Sequence, residues 1–218
     1  MMMMLTLGLS AAMVAPPTAM DHYQRGVDHF AAGKARRAAA CIRRSLKLEI
    51  TPQGIGALHA VGEVLMEEGA HEAAEACWRH SLSVEPLQVG VRERLASTLK
   101  SAGRLLEAAE AMHSTLKMEE APMDDEERGW LWTDLGALLE DIAPLPGSGP
   151  EDTVPELPVT LPALRVGGEV LTAGECYRRA IANAPHLGAA HKRYADMLKV
   201  LEAPKQLHGA HIYSVYGR

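Results

Sequence analysis

Aromatic side chains make up only 4% of this 218-residue chain, with a single phenylalanine, so a large aromatic core is excluded. Long apolar runs are missing as well, and nothing approaches the roughly 18 consecutive residues that cross a bilayer as a helix. Positive charge is not in excess. Lys and Arg number 22 against 28 Asp and Glu, a net charge of −6, which argues against general affinity for nucleic acid. Strand-like alternation is scarce outside one proline-rich stretch. The ten histidines and three cysteines form no His-Glu-x-x-His or Cys-x-x-Cys array. His208 and His211 stand near the C-terminus without a third ligand, so no metal is expected. Gly26 to Lys34 is a poor phosphate loop, because Ala35 stands where Ser or Thr belongs. No acid–base pair stands out from surface charge, and neither a catalytic residue nor a cofactor is expected.

What the chain has instead is a beat of small residues. Gly26, Gly62, Ala96 and Gly136 recur at spacings of 36, 34 and 40, and Ala38, Ala74, Ala108 and Ala173 at 36, 34 and 65. A period of this size marks stacked helix–turn–helix units. The second unit is cleanest. Leu58, Val61, Gly62 and Leu65 have the i, i+3, i+4, i+7 spacing of one helix face. Gly69 breaks the helix, Ala74, Trp78 and Ser81 line a second one, and Pro86 closes the unit. The same frame fits Gly26, Phe30, Gly33, Ala38, Ile42 and Ser45 in the first unit, and Leu95, Ala96, Leu99, Gly103, Ala108 and Met112 in the third. The fourth opens with Trp132, Leu135, Gly136 and Leu139 and closes with Ala173, Tyr177, Ala180 and Pro185. A last helix carries Tyr194, Ala195 and Leu198. Small residues at fixed places let two helix backbones approach while larger neighbours fill the holes.

These positions resemble the tetratricopeptide repeat family over about Met20 to Val200. The resemblance implies an all-α solenoid of about four helical hairpins plus a terminal helix. It also implies that the first helix of each unit lines a concave groove for a peptide or partner helix. The lining it projects is Tyr23, Val27 and Phe30, then His59, Glu63 and Met66, then Glu93, Arg94, Ser97 and Lys100. Thr133, Asp134 and Glu140 follow, with Lys192 and Lys199 last. That lining runs from apolar at one end to more basic at the other. Two specialised forms do not fit. The carboxylate clamp of chaperone-binding members falls on Tyr23, Val27, Ala60, Gly90 and Arg94, of which only Arg94 matches. The asparagine ladder of sugar-transferring members falls on Gln24, Ala60, Arg94, Asp134 and Arg193. The resemblance therefore implies a non-catalytic adaptor that binds protein or peptide, with a regulatory or substrate-recruiting part of a larger enzyme as the alternative. Partner and oligomeric state are not given by the sequence.

Cys41, Cys77 and Cys176 each fall three residues after Ala38, Ala74 and Ala173. Equivalent positions of neighbouring repeats lie about 8–10 Å apart or more, too far for a disulfide. The cysteines read as small apolar fillers, consistent with a cytoplasmic location. Residues 1–19 carry no charged side chain, and Leu5 to Ala15 is an apolar stretch. It is either a targeting segment or a cap in which Leu5, Leu7, Leu9 and Val14 cover the first unit. The repeat domain spans residues 20–202, with a tail at 203–218. An insertion at about 143–168 splits the fourth unit and holds Pro144, Pro146, Pro150, Pro155, Pro158 and Pro162. It reads as an exposed loop without regular structure, although Leu157, Val159, Leu161, Leu164 and Val166 have the alternation of an extended segment that docks. Glu119 to Arg128 is acidic, as suits a solvated helix start.

Overall fold

A computed structural model describes residues 16–120, 122–143 and 163–215, with side chains as far as Leu201. The proposed cap or targeting role of residues 1–15, the prolines of the insertion and the pair His208 and His211 lie outside these described side chains. The chain divides into two compact units, residues 1–61 and 62–218.

The first unit contains α1 (Ala19–Ala31), α2 (Ala35–Leu48) and the start of α3 (Pro52–Glu67). Thr18 caps α1, with its Oγ1 accepting from the Asp21 amide at 3.2 Å while its own amide donates to Asp21 Oδ2 at 2.8 Å. Ala35, Ala38, Ala39, Ile42 and Leu46 are the buried face of α2. Gly26 lets the helices cross closely, since a Cβ there would stand 2.6 Å from Ile42 Cγ1. Ser45 Oγ donates to the Ala19 carbonyl at 2.7 Å and fixes the crossing.

The second unit continues with α4 (His71–Val84), α5 (Val89–Ser101), α6 (Leu105–Leu116) and α7 (Asp125–Ile142). A short hairpin follows, β1 (Leu164–Val166) and β2 (Glu169–Leu171), and then α8 (Ala173–Asn183) and α9 (Gly188–Val215). From α4 to α9 each helix packs on the next, and α7 also meets α9. This is the neighbour-to-neighbour stacking of a helical repeat array, so the expected all-α class holds. The helix expected to end near residue 202 runs to Val215, through the residues read as a tail. Among the described residues no helix is long and apolar enough to cross a membrane.

One crossing recurs within the second unit. A Cβ on Gly62 would stand 2.6 Å from the ring of Trp78, and one on Gly136 2.6 Å from the ring of Tyr177. Each glycine faces a buried side chain that cannot bend away. Trp78 is further pinned by its Nε1, which donates to Thr98 Oγ1 at 2.9 Å. At the corresponding places of the third unit stand Ala96 and the flexible Met112, and the crossing admits a methyl group. The turn between paired helices recurs too. Gly69 has φ +70 and Gly103 φ +76, as Gly33 has φ +68 in the first unit. Each glycine amide, and the amide after it, donates back into the preceding helix to close a Schellman turn; at Gly69 the acceptors are Met66 and Leu65, at 3.0 and 2.7 Å.

The fourth unit replaces this turn with the insertion. Its described end is folded, contrary to the reading of a structureless exposed loop. Leu164 pairs with Leu171 and Val166 with Glu169 around Gly167 and Gly168, both at positive φ. Such a two-residue turn matches the twist of its flanking strands. Val166 and Leu171 are buried in the core shared by α5 to α9. Glu169, on the same face of the hairpin as Val166 and Leu171, accepts hydrogen bonds from Lys117 at 2.8 Å, Arg179 at 2.7 Å and His113 at 3.0 Å. Those three contacts tie the hairpin to α6 and α8, and they hold the Glu169 carboxyl down at about 2. The Arg179 guanidinium also lies 4.8 Å from the centre of the Trp132 ring.

Cys77 and Cys176 are fully buried and Cys41 is partly so, with no disulfide among them. Burial pushes the Cys176 thiol up to about 12, so it packs as an unreactive apolar group.

Candidate functional site

Helical periodicity brings one face of α5 opposite one face of α7. Gly90, Arg94 and Ser97 on α5, and Trp130, Asp134 and Ala137 on α7, have the same i, i+4, i+7 spacing. Between them lies a groove of about 710 Å³. Its floor is apolar, formed by Met112, Leu131 and Ala137, all buried. Its walls and rim carry Glu93, Lys100 and Glu127, with Arg193 reaching in from α9. Trp130 is 46% exposed, although indole is costly to leave in water.

The start of α7 places the acidic side. Asp124 Oδ1 accepts from the Glu127 amide at 2.8 Å and the Asp124 amide donates to Glu127 Oε2 at 3.2 Å, a reciprocal cap. The acidic stretch Glu119 to Arg128 is therefore a helix start, as expected, and it also contributes Glu127 to the groove.

The cations of the groove are engaged by carboxylates outside its lining. Arg94 pairs with Glu63 and lies 6.0 Å from the centre of the Trp78 ring. Lys100 pairs with Asp141 at 3.2 Å, and Arg193 with Glu140 at 3.6 Å. Glu93 and Asp134 have no hydrogen bond or ion pair among the described residues. Partial burial pushes the Glu93 carboxyl above its usual range, and the charges of Glu127 and Asp134 push it further. Burial likewise raises Asp134, against the pull of Lys100 and Arg193.

Of the projected lining, Glu93, Arg94, Ser97, Lys100 and Asp134 come together here. Thr133 does not belong to it. It is 3% exposed and its hydroxyl donates to the Gly129 carbonyl at 2.8 Å, because α7 turns that side toward α8. Glu63 holds Arg94, Glu140 holds Arg193, and Met66 is partly buried outside the groove. Lys192 and Lys199 are exposed on α9, with Lys199 bound to Asp196 at 2.9 Å. At the expected basic end Lys199 is thus paired, and Lys192 is exposed. Tyr23, Val27, Phe30 and His59 lie in the first unit, where Tyr23, Val27 and Phe30 share one face of α1 with the exposed Met20.

The residues the sequence reading missed are Trp130, Glu127 and Arg193. Trp130 stands two residues before the frame used for the fourth unit, and its spacing to Asp134 and Ala137 was the available signal.

No protein-family model matches the chain, and no protein of curated function does. Solved structures with a similar course include PilF from Pseudomonas aeruginosa, 16% identical, covering 89% of this chain and 72% of that one, TM-score 0.49. MamA from Desulfovibrio magneticus RS-1 is 14% identical, covering 93% and 95%, TM-score 0.44. A tetratricopeptide repeat protein from Parabacteroides merdae is 15% identical, covering 91% and 79%, TM-score 0.38. The internal register decides the fold: small residues at two fixed places, a large partner sixteen positions after Gly26 and Gly62, and glycine turns at Gly33, Gly69 and Gly103. The fold is of the tetratricopeptide repeat type.

Proposed function

We propose that the groove receives a segment of a partner protein, which makes the chain a non-catalytic interaction module. Trp130 carries this reading. An exposed indole in a concave site, above an apolar floor and inside a charged rim, has the make-up of an energetic centre in protein interfaces. Among the described residues Ser97 is the one hydroxyl side chain on the groove, and no histidine lines it to activate that hydroxyl. Holding, rather than bond breaking, fits such a lining. Contacts of this class give about micromolar affinity, near −8 kcal/mol. Tyr23, Val27 and Phe30 on α1 offer a separate apolar contact surface.

A photo-crosslinking residue tests this when placed at Ser97 in the groove or at the exposed Ser114 on α6. In lysate of the native source, capture of a discrete partner from position 97 and not from 114 is the expected result. Equal capture from both positions overturns the assignment of this face.

A further inference from the structure

Charge at the groove is unbalanced once each ion pair is counted with its partner. Arg94, Lys100 and Arg193 are matched by Glu63, Asp141 and Glu140. Glu93, Glu127 and Asp134 then remain around one cavity with no ion-pair partner of their own among the described residues, while Lys100 and Arg193, paired elsewhere, still attract Asp134 from a distance. The fold does not need this arrangement. Glu127 has a capping duty at the start of α7, but Glu93 and Asp134 hold nothing in place. Beside them the Trp130 ring is exposed, and an indole face attracts a desolvated cation.

A ligand that satisfied the whole site would have to be long, apolar along its length and positive at its tip. Lysine and arginine side chains have that form, since their methylenes cover apolar surface while the cation stays with its counter-charges. An acidic segment meets the opposite situation, because the nearby cations are already engaged. We infer that the groove selects a partner segment presenting a lysine or arginine, its stem against Trp130 and the apolar floor and its cation among Glu93, Glu127 and Asp134. This rests on the reading of the groove as a protein-binding surface and adds the chemistry of the partner.

The test uses the full chain, labelled with nitrogen-15 on its three tryptophan indoles. A Trp130→Phe variant assigns the Trp130 signal. Capped pentapeptides Ala-Leu-X-Leu-Ala are titrated with X as arginine, lysine, norleucine or glutamate. The arginine and lysine peptides are expected to shift the Trp130 signal saturably, with affinity falling as salt rises. The double variant Glu93→Gln, Asp134→Asn, folded by circular dichroism, is expected to lose about tenfold in affinity for both. Norleucine binding as tightly as arginine removes the charge inference and leaves the groove reading intact. Glutamate binding better than arginine overturns the inference as well. No response to any peptide overturns both readings. A Trp130 signal that shifts with protein concentration alone assigns the face to a second copy of the chain and rejects the peptide partner.

Discussion

Glu169 and Glu93 belong to the same compact unit, yet their surroundings differ in kind. Glu169 accepts from three donors on two helices, and its proton affinity collapses accordingly. Glu93 has no donor, shares a cavity with two further carboxylates, and holds its proton more readily than a free glutamate. The first carboxylate stabilises a fold that lost its ordinary turn: where other units close with a glycine, the fourth closes with a hairpin pinned by charge. The second adds a like-charge cost at neutral pH. On the proposed reading of the groove, the partner of these carboxylates is another molecule.

The largest effect expected concerns the packing of the repeats themselves. Ala74→Leu overfills a fully buried helix crossing and is expected to lower unfolding stability by about 1–3 kcal/mol in denaturant melts. An unchanged melt would mean that the repeat register is misassigned. Next comes Glu169→Gln, which keeps the shape of the side chain but removes the charge that three donors share. It is expected to cost about 1–2 kcal/mol at neutral pH, reduced from a buried value by partial solvent access, while arginine-peptide affinity stays unchanged. Because the folded carboxyl lies at about 2 against 4.5 unfolded, that contribution is complete above pH 4.5 and disappears as pH falls toward 2. Wild-type and variant melts therefore converge in acid, and a constant gap would contradict the ion-pair account. The smallest effect is Glu93→Gln. Glu93 is raised in the folded state, so at neutral pH its charge costs stability and protonation relieves that cost. The variant is expected to melt at the same temperature or slightly higher while binding the arginine peptide more weakly. A clear drop in melting temperature would make Glu93 a structural residue like Glu169.

The helical hairpins were legible because their signals are local and repeated. Gly62 and Gly136 are required by the rings they face, and Gly33, Gly69 and Gly103 by left-handed turns. The same constraints recur at one period, so each unit checks the others. The hairpin at residues 164–171 was only half legible. Alternation at Leu164 and Val166 gave an extended segment, but Gly167-Gly168 between apolar strands is a turn signal that proline density nearby obscured. Its anchoring was out of reach, since Glu169 meets His113 and Lys117 across more than fifty residues of sequence. In the groove, helical spacing placed Glu93, Arg94, Ser97, Lys100 and Asp134. It could not show that Thr133 turns inward, nor that the cations would be claimed by Glu63, Asp141 and Glu140. Charge balance in the groove is a property of tertiary neighbours, which the one-dimensional pattern does not contain.

The contrast between the two carboxylate sets is measured most directly by carbon-13 NMR titration of the side-chain carboxyls. Glu93 and Asp134 are expected to titrate above the usual range for their residue types and Glu169 far below it, near pH 2. Addition of the arginine peptide is expected to bring Glu93 back down while leaving Glu169 where it was. Glu93 titrating at or below the ordinary glutamate value in the free protein would contradict the account.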